Sequence, residues 1–355
     1  MLSIIINNYN YGRFLGAAIE SALSQTYTDT EVVVVDDGSD DESRAIIERY
    51  GAQVVAVFKD NGGQASALNA GFERCRGDIV IFLDADDVVL PDIGARVVAT
   101  YAAQPNCGKV EYRMNVIDAA GRPTGGLKPA EYLARPSGDL RRMELCSPFE
   151  ILWMSTSANA FSRRVLGEIL PVPEKGYPVC GADWYLAHVS PFFGPVVFLD
   201  AIGASYRVHG SNHFSSERLD LQQIHESIVF MRTTLGCIEQ TARRVGLMDP
   251  VAGPRQILSF TYVAQRMILH KLASRQHPSE VEQRGSLLRL GVAALARRDD
   301  ISVSLKVAMC LWLVCLAAAP YPLAWTLAEQ FMLPERRPAW VTSALRAAHR
   351  PLQSD

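Results

Sequence analysis

The chain has 355 residues, with 35 Lys and Arg against 38 Asp and Glu, a net charge of -3 and a pI of about 6.2. That balance excludes a basic protein built to hold nucleic acid, and 48% hydrophobic with 21% charged residues excludes a disordered chain. The length accommodates one large α/β domain with an appendage, or two domains. Seven cysteines are scattered, with only Cys310 and Cys315 close together inside an apolar run, which points to reduced thiols in a cytosolic setting.

From Met1-Leu2-Ser3 the chain enters a strand at once, so no secretory signal is expected. Ser3-Ile4-Ile5-Ile6 stops at the polar and aromatic turn Asn7-Asn8-Tyr9-Asn10-Tyr11-Gly12. A helix follows, with Phe14, Leu15, Ala18, Ile19, Ala22 and Leu23 on one apolar stripe. Glu31 to Val35 is a second buried strand ending in Asp36-Asp37-Gly38-Ser39. Ser39, Asp40 or Asp41 can cap the next helix, whose Ile46, Ile47 and Tyr50 face inward. Val54 to Phe58 is a third strand. In Lys59-Asp60-Asn61-Gly62-Gly63 the paired glycines allow backbone to approach a ligand closely. A helix through Leu68 and Phe72 then leads to the turn Gly77-Asp78.

Ile79 to Leu83 reads as a central strand buried on both faces, and it ends in Asp84-Ala85-Asp86-Asp87, an Asp-x-Asp pattern. Three carboxylates in four residues repel one another and cost desolvation energy. Such a strand end suits a divalent cation or a set of donors; the alternative is an acidic turn in water. The strand and helix alternation is that of a doubly wound sheet, which binds ligands beyond the carboxyl ends of its strands. Asn7, Tyr9, Asp36, Asp37 and Asp84 to Asp87 all fall on that rim.

Pro91 and Asp92 start a helix carrying Val97, Val98 and Tyr101. Val110 to Ile117 and Ser155 to Phe161 read as strands, separated by a Pro- and Gly-rich surface excursion from Gly121 to Gly138. Gly181-Ala182-Asp183-Trp184-Tyr185-Leu186 puts one carboxylate beside two aromatics at a helix start, where a plain capping aspartate is the alternative. Val196 to Leu199 and Ser205 to Val208 read as two strands, followed by a polar loop through His209, Ser211 and Asn212.

Five of these segments, Ile4-Ile5-Ile6-Asn7-Asn8-Tyr9-Asn10, Val34-Val35-Asp36-Asp37-Gly38-Ser39, Leu83-Asp84-Ala85-Asp86-Asp87, Gly181-Ala182-Asp183-Trp184 and Tyr206-Arg207-Val208-His209, resemble in order and spacing the motifs of family 2 glycosyltransferases. The likeness covers residues 1–215. The resemblance implies the GT-A fold, a Rossmann-like mixed α/β sheet flanked by helices, and inverting transfer of a sugar from a nucleotide diphosphate donor. It assigns the donor to Asn7, Tyr9, Asp36, Asp37, Asp84, Ala85, Asp86 and Arg207. Tyr9 stacks on the base, Asp37 accepts a hydrogen bond from it, Asp84 lies near the ribose, and Arg207 clamps phosphate. Asp86 holds Mn²⁺ or Mg²⁺ against the diphosphate, with His209 completing the metal shell or touching the diphosphate. Asp183 is the general base toward an acceptor hydroxyl, and Trp184 is core or a platform for an acceptor sugar. A UDP-sugar is the first expectation, since Asp37 suits a ring imide.

Two positions depart from the family pattern: Ala182 stands where Glu often precedes the base, and Leu68 where Arg often precedes the family's Asn, here Asn69. A Rossmann dehydrogenase is excluded, because Asn7-Asn8-Tyr9-Asn10 replaces a glycine-rich phosphate turn. Direct transfer to polyprenyl phosphate, or an inactive sugar-nucleotide binding module, remain as alternatives.

From Leu219 the pattern is helical, with Ile224, Ile228, Val229, Met231 and Leu235 on one face, and Gln256 to Leu272 is another helix. Val307 to Ala328 is uncharged, but Pro320-Tyr321-Pro322 leaves two arms each too short to span a bilayer. Basic residues flank both ends: Arg297, Arg298 and Lys306 before, Arg336, Arg337, Arg346 and Arg350 after. The expectation is three parts: a catalytic domain at 1–215, a helical extension at 216–300, and an apolar hairpin with a basic tail at 301–355. The hairpin is expected on the cytoplasmic face of a membrane; a buried helical pair or a homodimer interface are the alternatives. The acceptor would then be a glycan or a lipid-linked glycan.

Overall fold

The computed structural model describes residues 1–129, 135–150, 153–210, 218–248, 257–273, 283–333 and 336–337. It divides into two compact units, Met1–Leu140 with Trp153–Asn212, and Arg141–Leu152 with His213–Asp355. Residues 130–134 of the expected excursion, the loop residues Ser211 and Asn212, Gln256, Arg346 and Arg350 lie outside the described residues.

In chain order the first unit contains β1 (Leu2–Asn8), α1 (Gly12–Leu23), β2 (Thr30–Asp36), α2 (Ser43–Tyr50), β3 (Val55–Phe58), α3 (Gly63–Arg74), β4 (Ile79–Asp84), β5 (Val88–Val89), α4 (Ile93–Ala103), β6 (Lys109–Ile117) and β7 (Pro123–Lys128). After α5 (Arg141–Cys146), which belongs to the second unit, come β8 (Asn159–Ser162), α6 (Arg163–Ile169), α7 (Ala182–Val189) and β9 (Val196–Arg207). The sheet order is β3-β2-β1-β4-β8-β6-β9-β5, with β7 paired to β6. β3, β2, β1 and β4 run parallel; β8 then turns antiparallel to β4.

The unbroken apolar runs have the physical cause expected of them, since both sheet faces are covered. Ile4, Ile6, Val34 and Ile81 share one core with Leu15 and Ile19 of α1. On the other face α3 lies so close that a Cβ on Gly71 would come 2.3 Å from Ile5 Cγ2. Leu23 departs from the expected stripe and is 36% exposed, because the helix ends there. The excursion holds a strand, β7, and the two short strands expected at 196–199 and 205–208 are one, β9, with irregular register against β6 near Arg113.

The second unit is α5 with α8 (Leu221–Arg244), α9 (Phe260–Leu272), α10 (Arg284–Arg297), α11 (Val303–Ala318) and α12 (Tyr321–Met332). α9 is buried along most of its length because α8, α10, α11 and α12 all pack on it. Segment 141–152 joins this unit through Glu150, which accepts from Thr261 N at 2.8 Å and pairs with buried Arg298 at 2.8 Å; Arg298 also pairs with Asp300 at 2.5 Å. Pro320 separates α11 from α12, as its missing N–H requires. Leu305, Leu313 and Leu316 of α11 are buried, whereas Val303, Val307, Leu311 and Val314 are exposed, Val303 by 72% and Leu311 by 60%. Among the described residues no helix is long and apolar enough to cross a membrane.

Candidate active site

The parallel register sets Asn7 beside Asp84 and Asn8 beside Asp36 at the strand ends. Asn7 Nδ2 donates to Asp84 Oδ1 at 3.0 Å, and Ala85 N donates to the Asn7 carbonyl at 3.2 Å. Tyr9, just past β1, is 48% exposed and is left free as a flat platform.

Asp36 and Asp37 are both buried and hydrogen-bonded at the end of β2. Asp36 is buried and its Oδ1 accepts from Asn8 Nδ2 at 2.9 Å and Ser39 Oγ at 2.5 Å. Asp37 is 2% exposed, and its oxygens accept from Lys59 Nζ (2.5 Å), Gly62 N (3.1 Å) and Gly63 N (2.7 Å). Its charge holds the turn that opens α3. The paired glycines approach their own chain too: a Cβ on Gly63, whose φ is +82°, would come 2.1 Å from the Pro178 carbonyl. Ala85 is buried, so it contributes spacing between two acids.

The acidic strand end carries the expected electrostatic tension. Burial, then the neighbouring Asp86 charge, pushes Asp84 up to about 7, and the same two causes in the same order push Asp87 well up. Asp87 accepts from Arg207 N at 2.9 Å, while Arg207 Nε donates to the Asp86 carbonyl at 2.7 Å and its guanidinium lies over Phe14. Arg207 is thus buried as a brace of the acidic turn. An exposed cation on this side is Arg13, stacked 4.3 Å from the Phe14 ring centroid.

Asp86 and His209 do meet, with Asp86 Oδ2 and His209 Nε2 at 3.0 Å and the imidazole buried. Arg13 Nη2 lies 3.2 Å from His209 Nδ1; a guanidinium only donates, so Nδ1 accepts and Nε2 carries the proton toward Asp86. The 3.0 Å separation also matches adjacent octahedral ligands at about 2.1 Å, which lie about 3 Å apart, and Nε2 would ligate a cation only after giving up that proton. Among the described residues no group of three His, Cys, Asp or Glu could hold a metal. These two side chains would hold Mn²⁺ or Mg²⁺ only with help from water and substrate phosphate, which is the usual manner for Mg²⁺.

Asp183 sits in the first turn of α7, which begins after Gly181 at φ 88°. Its Oδ1 accepts from Trp184 N at 2.9 Å, and burial raises its pKa. Asp84 feels the Asp183 charge, so the two motifs, ninety-nine residues apart by number, lie near one another. Gln64 spans them: Nε2 donates to Asp84 Oδ1 at 3.2 Å, and Ala182 N donates to Oε1 at 3.2 Å. Trp184 is half-buried with its ring 6.0 Å from that of His188, and His188 Nδ1 accepts from Trp153 Nε1 at 3.1 Å.

Sequence reasoning missed Arg13, Gln64 and Tyr11 as site residues. Tyr11 is pushed up to about 12, first by burial and then by the charges of Asp86 and Asp84. Tyr206 is raised by burial and then by Asp87, Asp86 and Asp84, so both phenols line the acidic end. A cation and an aromatic on either side of Gly12, directly after a strand end, were the available signal.

A glycosyl transferase family 2 model matches residues 3–170. An uncharacterized glycosyltransferase of Nostoc sp. is 34% identical over 255 residues, 69% of this chain and 76% of that protein. The chain belongs to glycosyl transferase family 2. This glycosyltransferase is also 45% identical, over 106 residues covering 28% of the chain and 31% of the relative, to an undecaprenyl-phosphate 4-deoxy-4-formamido-L-arabinose transferase of Pseudomonas fluorescens. Staphylococcus aureus TarS 1-349 in complex with UDP superposes with a TM-score of 0.53 at 15% identity, covering 93% of this chain and 90% of TarS. The fold of the family 2 glycosyltransferase is therefore GT-A, as its sequence resemblance implied. TarS has also been solved with UDP-GlcNAc, at a TM-score of 0.51 and 16% identity, covering 93% of this chain and 91% of that one.

Proposed function

We propose that this glycosyltransferase inverts the anomeric centre of a nucleotide diphosphate sugar, a UDP-sugar by preference, in transferring it to a hydroxyl of a glycan or lipid-linked glycan. The observation that carries the reading is the Gln64 bridge, which donates to Asp84 Oδ1 at 3.2 Å and accepts from Ala182 N at 3.2 Å, and so sets the acidic end of β4 near the helix start that bears Asp183. Asp183 takes the proton from the acceptor oxygen as that oxygen attacks the anomeric carbon and the bond to the diphosphate breaks on the opposite face. Burial favours this role, since a raised pKa makes a stronger base.

Asn7 fixes Asp84 toward the ribose, and exposed Tyr9 stacks on the base. Asp86 and His209 would hold the cation, which when bound neutralises the charge developing on the departing diphosphate. Arg13 replaces Arg207 as the phosphate contact, because it is the exposed one. Asp36, Asp37 and Ala85 act from beneath by shaping the turns, and Trp184 offers its half-buried face to the acceptor sugar. Donor hydrolysis or transfer that is lost in Asp183→Asn, with UDP still bound, is the expected result; full activity in that variant would refute the reading.

The likeness to a transferase named for undecaprenyl phosphate favours polyprenyl phosphate as the second acceptor reading. The uncharged outer stripe of α11 and the exposed Tyr321 and Leu323 of α12 suit the cytoplasmic surface of a membrane that carries such acceptors. A homodimer through the same stripe is the competing outcome.

A further inference from the structure

The helix bearing Asp183 begins without a cap of its own. Its N-cap residue is Gly181, which has no side chain to accept the first N–H groups, and such groups are costly to leave unmet. Gln64 of α3 meets that need from 118 residues away in sequence: its Oε1 accepts from Ala182 N at 3.2 Å. The amide's other half points the opposite way, Nε2 donating to Asp84 Oδ1 at 3.2 Å and lying 3.3 Å from Thr156 Oγ1. The backbone repeats the link, since Gln64 N donates to the Val179 carbonyl at 3.1 Å and Gly63 lies against Pro178. Further along α3, Asn69 Nδ2 donates to the Val172 carbonyl at 3.0 Å and its Oδ1 accepts from Val172 N at 2.8 Å. The start of α3 is itself pinned by Asp37 through Gly62 N and Gly63 N.

We propose that Gln64 is a positioning residue that registers the base helix against the ribose-side acid, one amide capping α7 and holding Asp84 at once. The inference rests on the glycosyl-transfer reading of Asp84 and Asp183. An amide suits the place because it offers a donor and an acceptor on one neutral group; Met fills the volume with neither, and Glu keeps the acceptor while setting a second charge against Asp84.

The test compares Gln64→Met and Gln64→Glu with the parent full-length protein, reading amide hydrogen exchange at Ala182 and steady-state transfer. In Gln64→Met, Ala182 should exchange at least about tenfold faster. Its kcat should fall on the order of 10²-fold while donor KM changes less than about threefold, because the base is misaligned and the donor is still bound. Gln64→Glu should keep Ala182 protected. Parent-like protection of Ala182 in Gln64→Met, free exchange there in Gln64→Glu, or an unchanged kcat in Gln64→Met would each overturn the proposal. Full activity of Asp183→Asn would instead sink the underlying reading, and the exchange measurement would still judge Gln64.

Discussion

Asp183, Arg13 and Arg207 show how little a residue's identity says before its surroundings are known. Asp183 has a folded-state pKa raised by burial, so its ionised form destabilises the fold at neutral pH, and any stability it contributes is present only at low pH. Asp183→Asn should therefore unfold no earlier than the parent at pH 7 while losing on the order of 10²-fold or more in kcat. The same shift places the acid limb of kcat/KM above the ordinary carboxylate range, with activity lost as pH falls through it. A limb near pH 4 in a pH-rate profile would contradict this. The two arginines should separate cleanly. Arg13→Ala should raise donor KM by about tenfold, the loss of one charge-assisted contact, with little change in melting. Arg207→Ala should destabilise by about 2 kcal/mol in urea, because it strips a buried brace from the Asp86 carbonyl. Asp86→Ala should abolish a Mn²⁺-dependent thermal shift, and an unchanged shift would move the cation elsewhere.

Elements carry a second layer of meaning. β1, β2 and β4 are apolar without alternation because helices lie on both faces, and that pattern was legible before any coordinates. The turn opening α3 was legible only as a glycine pair. Tertiary contact turned it into a clamp, since Gly63 has both a positive φ and a carbonyl where a Cβ would stand. Gly63→Ala should cost about 2 kcal/mol or more in chemical denaturation and lower kcat with it, whereas an Ala at Gly51, also at positive φ but facing open space, should lack the steric part of that penalty. β9 was divided in two because Asp200 and Gly203 interrupt its apolar run, yet both halves continue one pairing with β6.

At the scale of the whole molecule, the tail's periodicity could not say what covers it. Inside the second unit Leu313 enters against Gly291, and Trp312 stacks on Phe331 at 4.7 Å, so half of each apolar helix is spoken for. Among the described residues the other half of α11, along Val303, Val307, Leu311 and Val314, meets no partner core. Val307→Glu combined with Leu311→Glu should leave the melting free energy within about 0.5 kcal/mol, as exposed sites do. The same pair should weaken sedimentation with anionic vesicles on the order of a hundredfold, from two lost apolar contacts. Unchanged sedimentation, or a dimer that dissociates in that variant, would reassign the stripe.

Sequence by itself determined the family, the alternation of strands and helices, and the set of acids gathered on one rim. Those follow from side-chain period and from motif spacing, which are local along the chain. Tertiary structure alone decided which acids are exposed and which are spent. Asp37 and Arg207 carry motif positions in one dimension and are also buried braces of their turns in three, while Gln64 looks like filler and joins two motifs. Burial and hydrogen-bond partnership depend on residues far away in sequence, and no local pattern encodes them.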